Sequence, residues 1–256
     1  FKSNITPYEL GYISAISNIS DLSTMGAEPA FALINLSLNT PTYDFMHELM
    51  EGYNDVFKNF SITLLGGDTT KGETSITMTL IGYAVSNNYM LTTDAQKDDL
   101  IYISGNVGEM LNSHQKNEYF LHKDRNQLGK ILTDYASACT DMSDGLLKSL
   151  KNICKKSNLG ASIDLEKVCI NENIKKQILD NNIKWDDVLS YGEDYELIFT
   201  INPLNSVKIK NICKQLSIDI TEIGSLSNED RIHFLYDSNI VNIDINKEFE
   251  HFKKND

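Results

Sequence analysis

Cysteine is scarce in this sequence and badly placed for chemistry. Cys139, Cys154, Cys169 and Cys213 form no CxxC pair and no cluster with histidine. Disulfide frameworks and zinc sites need close, patterned spacing, so neither is predicted, and all four read as free thiols of a reducing compartment. Basic residues are also few: 23 Lys and Arg stand against 36 Asp and Glu, a formal charge of −13. Nucleic acid and anionic membrane surfaces both want a basic face, so both are excluded as partners. No apolar run approaches the roughly 18 residues of a membrane helix. The polar N-terminus shows no signal peptide. Low-complexity tracts, short tandem repeats, a Gly-x-Ser-x-Gly elbow and the Walker A spacing are all missing.

What is present is ordinary globular material. Hydrophobic residues make up 41 % of the chain and charged residues 23 %, which argues against disorder. A length of 256 residues allows one large domain or two smaller ones.

The start is the most legible part. Thr6-Pro7-Tyr8-Glu9 is a capping box with Pro at the first helical position. Leu10, Ile13, Ile16, Ile19, Leu22 and Met25 recur at helical spacing, and Gly26 sits where a helix-ending glycine belongs. Ser14, Asn18 and Asp21 mark the opposite stripe. A strand is predicted over 31–38, a helix over 43–60, a short strand over 62–65 and a longer one over 74–85. Residues 87–99 read as a polar linker, 100–103 as a strand, and Gly105 as the opening of a helix. Further helices are predicted near 127–135, 143–155, 174–179 and 204–216, with strands near 161–165, 195–201 and 231–235. The order suggests an α/β (α+β) chain of two lobes, 1–87 and 88–256.

Four segments place acids beside glycine or hydroxyl groups. In Asn18-Ile19-Ser20-Asp21-Leu22 an acid interrupts an apolar helix; it reads equally as a metal ligand or as a solvated position. Gly66-Gly67-Asp68-Thr69-Thr70-Lys71-Gly72 is expected as a turn after a strand, where glycine lets backbone approach a ligand and Asp and Thr oxygens suit Mg²⁺. In Asp141-Met142-Ser143-Asp144-Gly145, Ser143 is placed as a helix N-cap. Phosphate suits that helix end, with Asp141 and Asp144 tolerable beside it if they hold bridging Mg²⁺. Gly192-Glu193-Asp194-Tyr195-Glu196 gathers three acids around one tyrosine, enough to hold a cationic group. His47, His114, His122 and His233 lie in no ligand-like spacing and read as surface or helix-face residues. Trp185 reads as partial core.

Taken in order, these segments resemble the thiamine-monophosphate kinases of the PurM-like (AIR synthase-related) superfamily. The resemblance is carried by residues 18–29, Gly66 to Gly72, Asp141 to Leu146, and Gly192 to Leu197. Leu91-Thr92, residues 100–105, Ile223-Gly224 and Phe249-Glu250-His251-Phe252 also fit. SDLSTMGAEP and GEDYEL carry the most specificity; GGDTT and DMSDGL are broader.

The resemblance implies a cytoplasmic kinase that uses ATP and several Mg²⁺ ions to convert thiamine monophosphate to thiamine diphosphate. It implies a two-lobed PurM-like fold, with an N-terminal lobe whose sheet pairs across a homodimer. Asp21, Asp68, Asp141 and Asp144 match metal ligands. Gly67, Asp68 and Ser143 match nucleotide contacts, and Glu193, Asp194 and Phe249 match the substrate side. No nucleophile or base is implied. The resemblance also implies a segment ahead of Phe1 that holds further metal ligands and a substrate-contacting histidine. Two positions depart from the pattern: Thr93 stands for an ATP-contacting arginine, and Tyr191 for a glycine. The alternatives are another PurM-like ATP-using enzyme, such as an aminoimidazole-ribonucleotide synthase, and a non-catalytic nucleotide- or thiamine-phosphate-binding protein.

An acceptor that is itself a phosphate, with a second pKa of about 6, is already anionic near neutral pH. Direct in-line transfer without a phospho-enzyme is therefore expected.

Overall fold

The computed structural model describes residues 5–84, 88–119, 121–245 and 247. The chain divides into two compact units, Phe1–Tyr89 with Tyr119–Lys130, and Met90–Glu118 with Ile131–Asp256.

The first unit contains α1 (Pro7–Thr24), β1 (Ala27–Leu38), α2 (Tyr43–Phe60), β2 (Thr63–Lys71) and β3 (Ser75–Ala84). The α1 capping box forms as its sequence requires: Glu9 N–H donates to Thr6 Oγ1 (3.2 Å), and Thr6 N–H donates to Glu9 Oε2 (2.8 Å). Gly26 follows the helix with φ +71°, a left-handed position that glycine fills without strain. The three strands lie in the order β2-β1-β3, parallel on one side of β1 and antiparallel on the other. Ala32, Ile34, Leu36 and Leu38 point inward, onto a core with Leu10, Ile16 and Ile19 of α1 and Leu49, Tyr53 and Val56 of α2. That alternation is the period-2 pattern of a strand buried on one face.

The two helices meet through glycines. A Cβ on Gly11 would lie 2.1 Å from Leu49 O, and one on Gly52 would lie 2.1 Å from Tyr8 O. The backbones are therefore too close for any side chain at either position.

In the second unit, seven described strands form one mixed sheet. They are β4 (Leu100–Ser104), β5 (Ala136–Asp141), β6 (Gly160–Asp164), β7 (Leu197–Ile201), β8 (Ile220–Ser227), β9 (Ile232–Tyr236) and β10 (Asn239–Val241). Their order is β10-β9-β6-β8-β4-β7-β5. Only β6 and β9 pair in parallel. The helices are α3 (Glu109–Gln115), α4 (Asn126–Leu132), which begins within the first unit's second segment, α5 (Leu146–Ser157), α6 (Glu172–Leu179), α7 (Trp185–Ser190) and α8 (Ser206–Gln215). Leu146, Leu147, Leu150 and Ile153 of α5 join Ile101, Ile103, Ile163 and Ile198 of the sheet in the core, and Trp185 packs partly buried against it. All four cysteines are free. Burial raises the thiol pKa of Cys154 to about 12 and of Cys213 to about 11, so both stay protonated and inert. Among the described residues no helix is long and apolar enough to cross a membrane.

Four local expectations are corrected. The glycine-rich segment is no turn after a strand: β2 runs straight through it to Lys71. The helix expected at Gly105 begins at Glu109, because Val107 N–H first bonds Cys169 O (2.8 Å) and Gly108 turns the chain at φ +81°. Ser143 is not the N-cap of α5; Gly145 is, at φ +93°. Residues 88–99 are not merely a linker, since Leu91 bridges to Ala138 and Asp99 is buried, accepting from Gln96 N–H and Ser137 Oγ.

Candidate functional site

Each unit carries two of the four segments. In the first unit, Asp21 lies on the exposed side of the last turns of α1, so the helix incurs no burial cost for its charge. Ser14 and Asn18, on the same stripe, bond back to the carbonyls of Leu10 (2.6 Å) and Ser14 (2.8 Å).

Gly66 and Gly67 adopt φ +146° and +153°. The pairing with β1 slips here: Ala32 faces Leu64 but Leu33 faces Gly66, which leaves Leu65 as a bulge. A Cβ on Gly67 would fall 1.7 Å from Ile34 O, so glycine alone lets the strand lie this close. Asp68 follows, opposite Asn35, on a strand exposed along its whole length. Its Oδ1 accepts the N–H of Thr69 at 2.9 Å.

In the second unit, the third and fourth segments interlock. Asp141 ends β5 and is buried at 6 % exposure. Its Oδ1 accepts from Ser143 Oγ (3.0 Å), and its backbone carbonyl accepts from Ser149 Oγ (2.6 Å). Asp144 pairs with Lys148 at 2.7 Å, one turn along α5. Met142 N–H donates to Glu196 O (2.8 Å) and Glu193 N–H donates to Ser143 O (2.7 Å), tying the two loops together. Gly192 permits that contact, because a Cβ there would sit 2.4 Å from Ser143 O.

The three acids of the fourth segment do not act alike. Asp194 is buried, and its two oxygens accept the N–H groups of Gly108 (2.7 Å) and Met110 (3.0 Å) at the start of α3. Burial raises its pKa to about 7 against the pull of those two bonds, and the charges of Glu196 and Glu109 push it the same way. Glu196 is also buried and accepts from Ser104 Oγ. Glu193, at φ +69°, is the one left half exposed.

His114 lies on α3, in keeping with the helix-face reading of the histidines. Its side chain is 6 % exposed, Nδ1 meets Tyr191 Oη within hydrogen-bond distance, and Nε2 lies 3.9 Å from Glu193 Oε2. His122, buried and outside any helix, corrects the expectation of a surface or helix-face residue. Neither had a sequence signal, because both depend on contacts distant in the chain. Thr93 is exposed and donates to Asp94. Phe249 lies outside the described residues.

Hard carboxylate oxygens are the donor type that Mg²⁺ takes, and the four proposed aspartates supply them. Among the described residues, no group of three or more His, Cys, Asp or Glu side chains is placed to hold a metal ion.

The AIR synthase related protein N-terminal domain matches residues 1–84, and the corresponding C-terminal domain matches residues 77–237. The chain thus has the architecture of the AIR synthase-related, or PurM-like, proteins. Among curated proteins it is 32 % identical to the thiamine-monophosphate kinase of Buchnera aphidicola subsp. Acyrthosiphon pisum (strain APS), over 98 % of this chain and 83 % of that one. It is 31 % identical to the thiamine-monophosphate kinase of Haemophilus influenzae, over 99 % and 83 %. The crystal structure of thiamine-monophosphate kinase from Stenotrophomonas maltophilia K279a superposes with a TM-score of 0.83 at 27 % identity, covering 91 % of this chain and 80 % of that one. A structure described as AaThiL complexed with AMPPCP and TMP shares the fold at a TM-score of 0.79 and 23 % identity, covering 97 % and 82 %. The chain belongs to the thiamine-monophosphate kinase family.

Proposed function

We propose that this protein transfers the γ-phosphoryl group of ATP to thiamine monophosphate, giving thiamine diphosphate. One observation carries the reading: the family relationship spans nearly the whole chain, and within it the Asp141–Gly145 and Gly192–Glu196 loops are locked together by backbone hydrogen bonds. That lock sets carboxylates beside a half-exposed glutamate, as a phosphoryl acceptor with a cationic ring requires.

Asp21, Asp68, Asp141 and Asp144 are the residues that would hold Mg²⁺. When bound, the ions offset the repulsion between two anionic substrates. Gly67 and Ser143 are assigned as nucleotide contacts, Ser143 being already bonded to Asp141. Glu193 and Phe249 hold the thiamine moiety. Asp194 supports Glu193 by fixing its loop to α3. The acceptor phosphate needs no base, so transfer is direct.

A second copy of this chain is the proposed partner, and the first unit's sheet the proposed interface. Leu65, Ile81 and Tyr83 are exposed there at 56 %, 43 % and 60 %, an apolar face that the helices do not cover. The cytoplasm is the proposed compartment, in keeping with four free cysteines.

The deciding experiment is a Mg²⁺-dependent assay of thiamine diphosphate formation by the full-length protein. Product with ATP supports the kinase. Tight binding of nucleotide and thiamine monophosphate without turnover supports the binding-protein alternative instead.

A further inference from the structure

We propose that Tyr191 and His114 are positioning residues that aim Glu193 at the cationic ring of the acceptor; this rests on the kinase reading above. Three observations converge. Tyr191 Oη and His114 Nδ1 are within hydrogen-bond distance, and the rings meet edge to face, with centroids 5.8 Å apart at 68°. His114 Nε2 lies 3.9 Å from Glu193 Oε2. Glu193 itself sits at φ +69°, with its N–H committed to Ser143 O.

The chemistry runs in one direction. Burial, with Glu193 and then Asp194 adding to it, raises the phenol pKa of Tyr191, so its hydroxyl keeps its proton and donates to Nδ1. With Nδ1 accepting, the ring proton lies on Nε2, the nitrogen facing Glu193. The glutamate is drawn to one side of its loop but keeps half of its surface open, as pairing with a thiazolium cation requires. The resemblance leads one to expect a glycine at position 191, which offers no hydroxyl.

The test compares wild type, Tyr191→Phe, Glu193→Gln and the double variant of the full-length protein, with two readouts. In steady-state kinetics, Tyr191→Phe raises KM for thiamine monophosphate about fivefold to tenfold, the scale of one hydrogen bond. It leaves kcat and KM for ATP within about twofold. In the Glu193→Gln background the same change adds less than about twofold, because the residue it positions is already disabled. Effects that multiply in the double variant, or a fall in kcat with KM unchanged, overturn the proposal. Histidine ¹⁵N spectra give the second readout, independent of turnover. Wild type shows the Nε2–H tautomer of His114, and Tyr191→Phe redistributes it; an unchanged spectrum overturns the proposal. A wild type that forms no thiamine diphosphate but keeps this spectral response refutes the kinase reading and leaves the tyrosine–histidine–glutamate arrangement standing.

Discussion

The carboxyl of Asp194 makes stability depend on pH in an unusual direction. Most native carboxylates have lowered pKa values, so proteins gain stability as pH rises from acid. Asp194 does the opposite, because burial lifts it from an ordinary 3.8 to about 7. Between those values the native state keeps a proton that the unfolded chain has released. The native state binds more protons there, so stability falls as pH rises through that window and levels off above pH 7. Each pH unit inside the window corresponds to about 1.4 kcal/mol, so between pH 5 and pH 7 the contribution lost is about 3 kcal/mol. For a chain this long that is a drop of about 6–12 °C in the thermal midpoint. Asp194→Asn removes the titration. Its amide offers an acceptor to one of the Gly108 and Met110 N–H groups and a donor to the other, a mismatch costing about 1–3 kcal/mol. The variant is therefore clearly less stable than wild type at pH 5, and the gap narrows toward pH 8. Thermal melts at both pH values, with exchange of the Met110 amide as a local probe, measure this. A gap that stays constant or widens with pH would refute the reasoning.

Asp21→Asn or Asp141→Asn lowers kcat by about a hundredfold or more while far-UV circular dichroism stays unchanged, since each removes a ligand charge that phosphoryl transfer depends on. Near-normal turnover at saturating Mg²⁺ contradicts the metal assignment. Labelled ATP leaves no phosphoprotein on the wild-type enzyme; a trapped acid- or base-stable adduct defeats direct transfer. Gly67→Ala unseats β2, because its Cβ would press on Ile34 O. ATP affinity and the thermal midpoint then fall together, and an alanine variant that binds ATP normally shows that the close approach does not matter. Ile81→Asp places a charge on the exposed sheet face and halves the mass seen by light scattering; an unchanged mass removes that face as the dimer interface.

The first unit was the more legible in sequence because its signals are local. The capping box, the helical stripe from Leu10 to Met25 and the alternation in β1 each describe contacts within a few residues. β5 gave no such signal: Ala136, Ser137, Ala138 and Cys139 have little strand character and are held by β7, about sixty residues away. The glycine-rich segment misled because two glycines usually mark a turn, whereas here they let an edge strand bulge and crowd its neighbour. In the fourth segment three acids looked interchangeable. Only the fold separates Asp194, spent on backbone at α3, from Glu193, left facing outward.

The glycine pair where α1 crosses α2 bears on how this protein tolerates change. A survey of inactivating substitutions would score Gly11 and Gly52 beside the aspartates, although neither carries a group that could react. Their intolerance measures clearance: a single methyl group at either position must push two helices apart, and Asp21 rides on one of them. Sequence drift in this unit is thus confined at positions that no inspection of ligands or charges would single out.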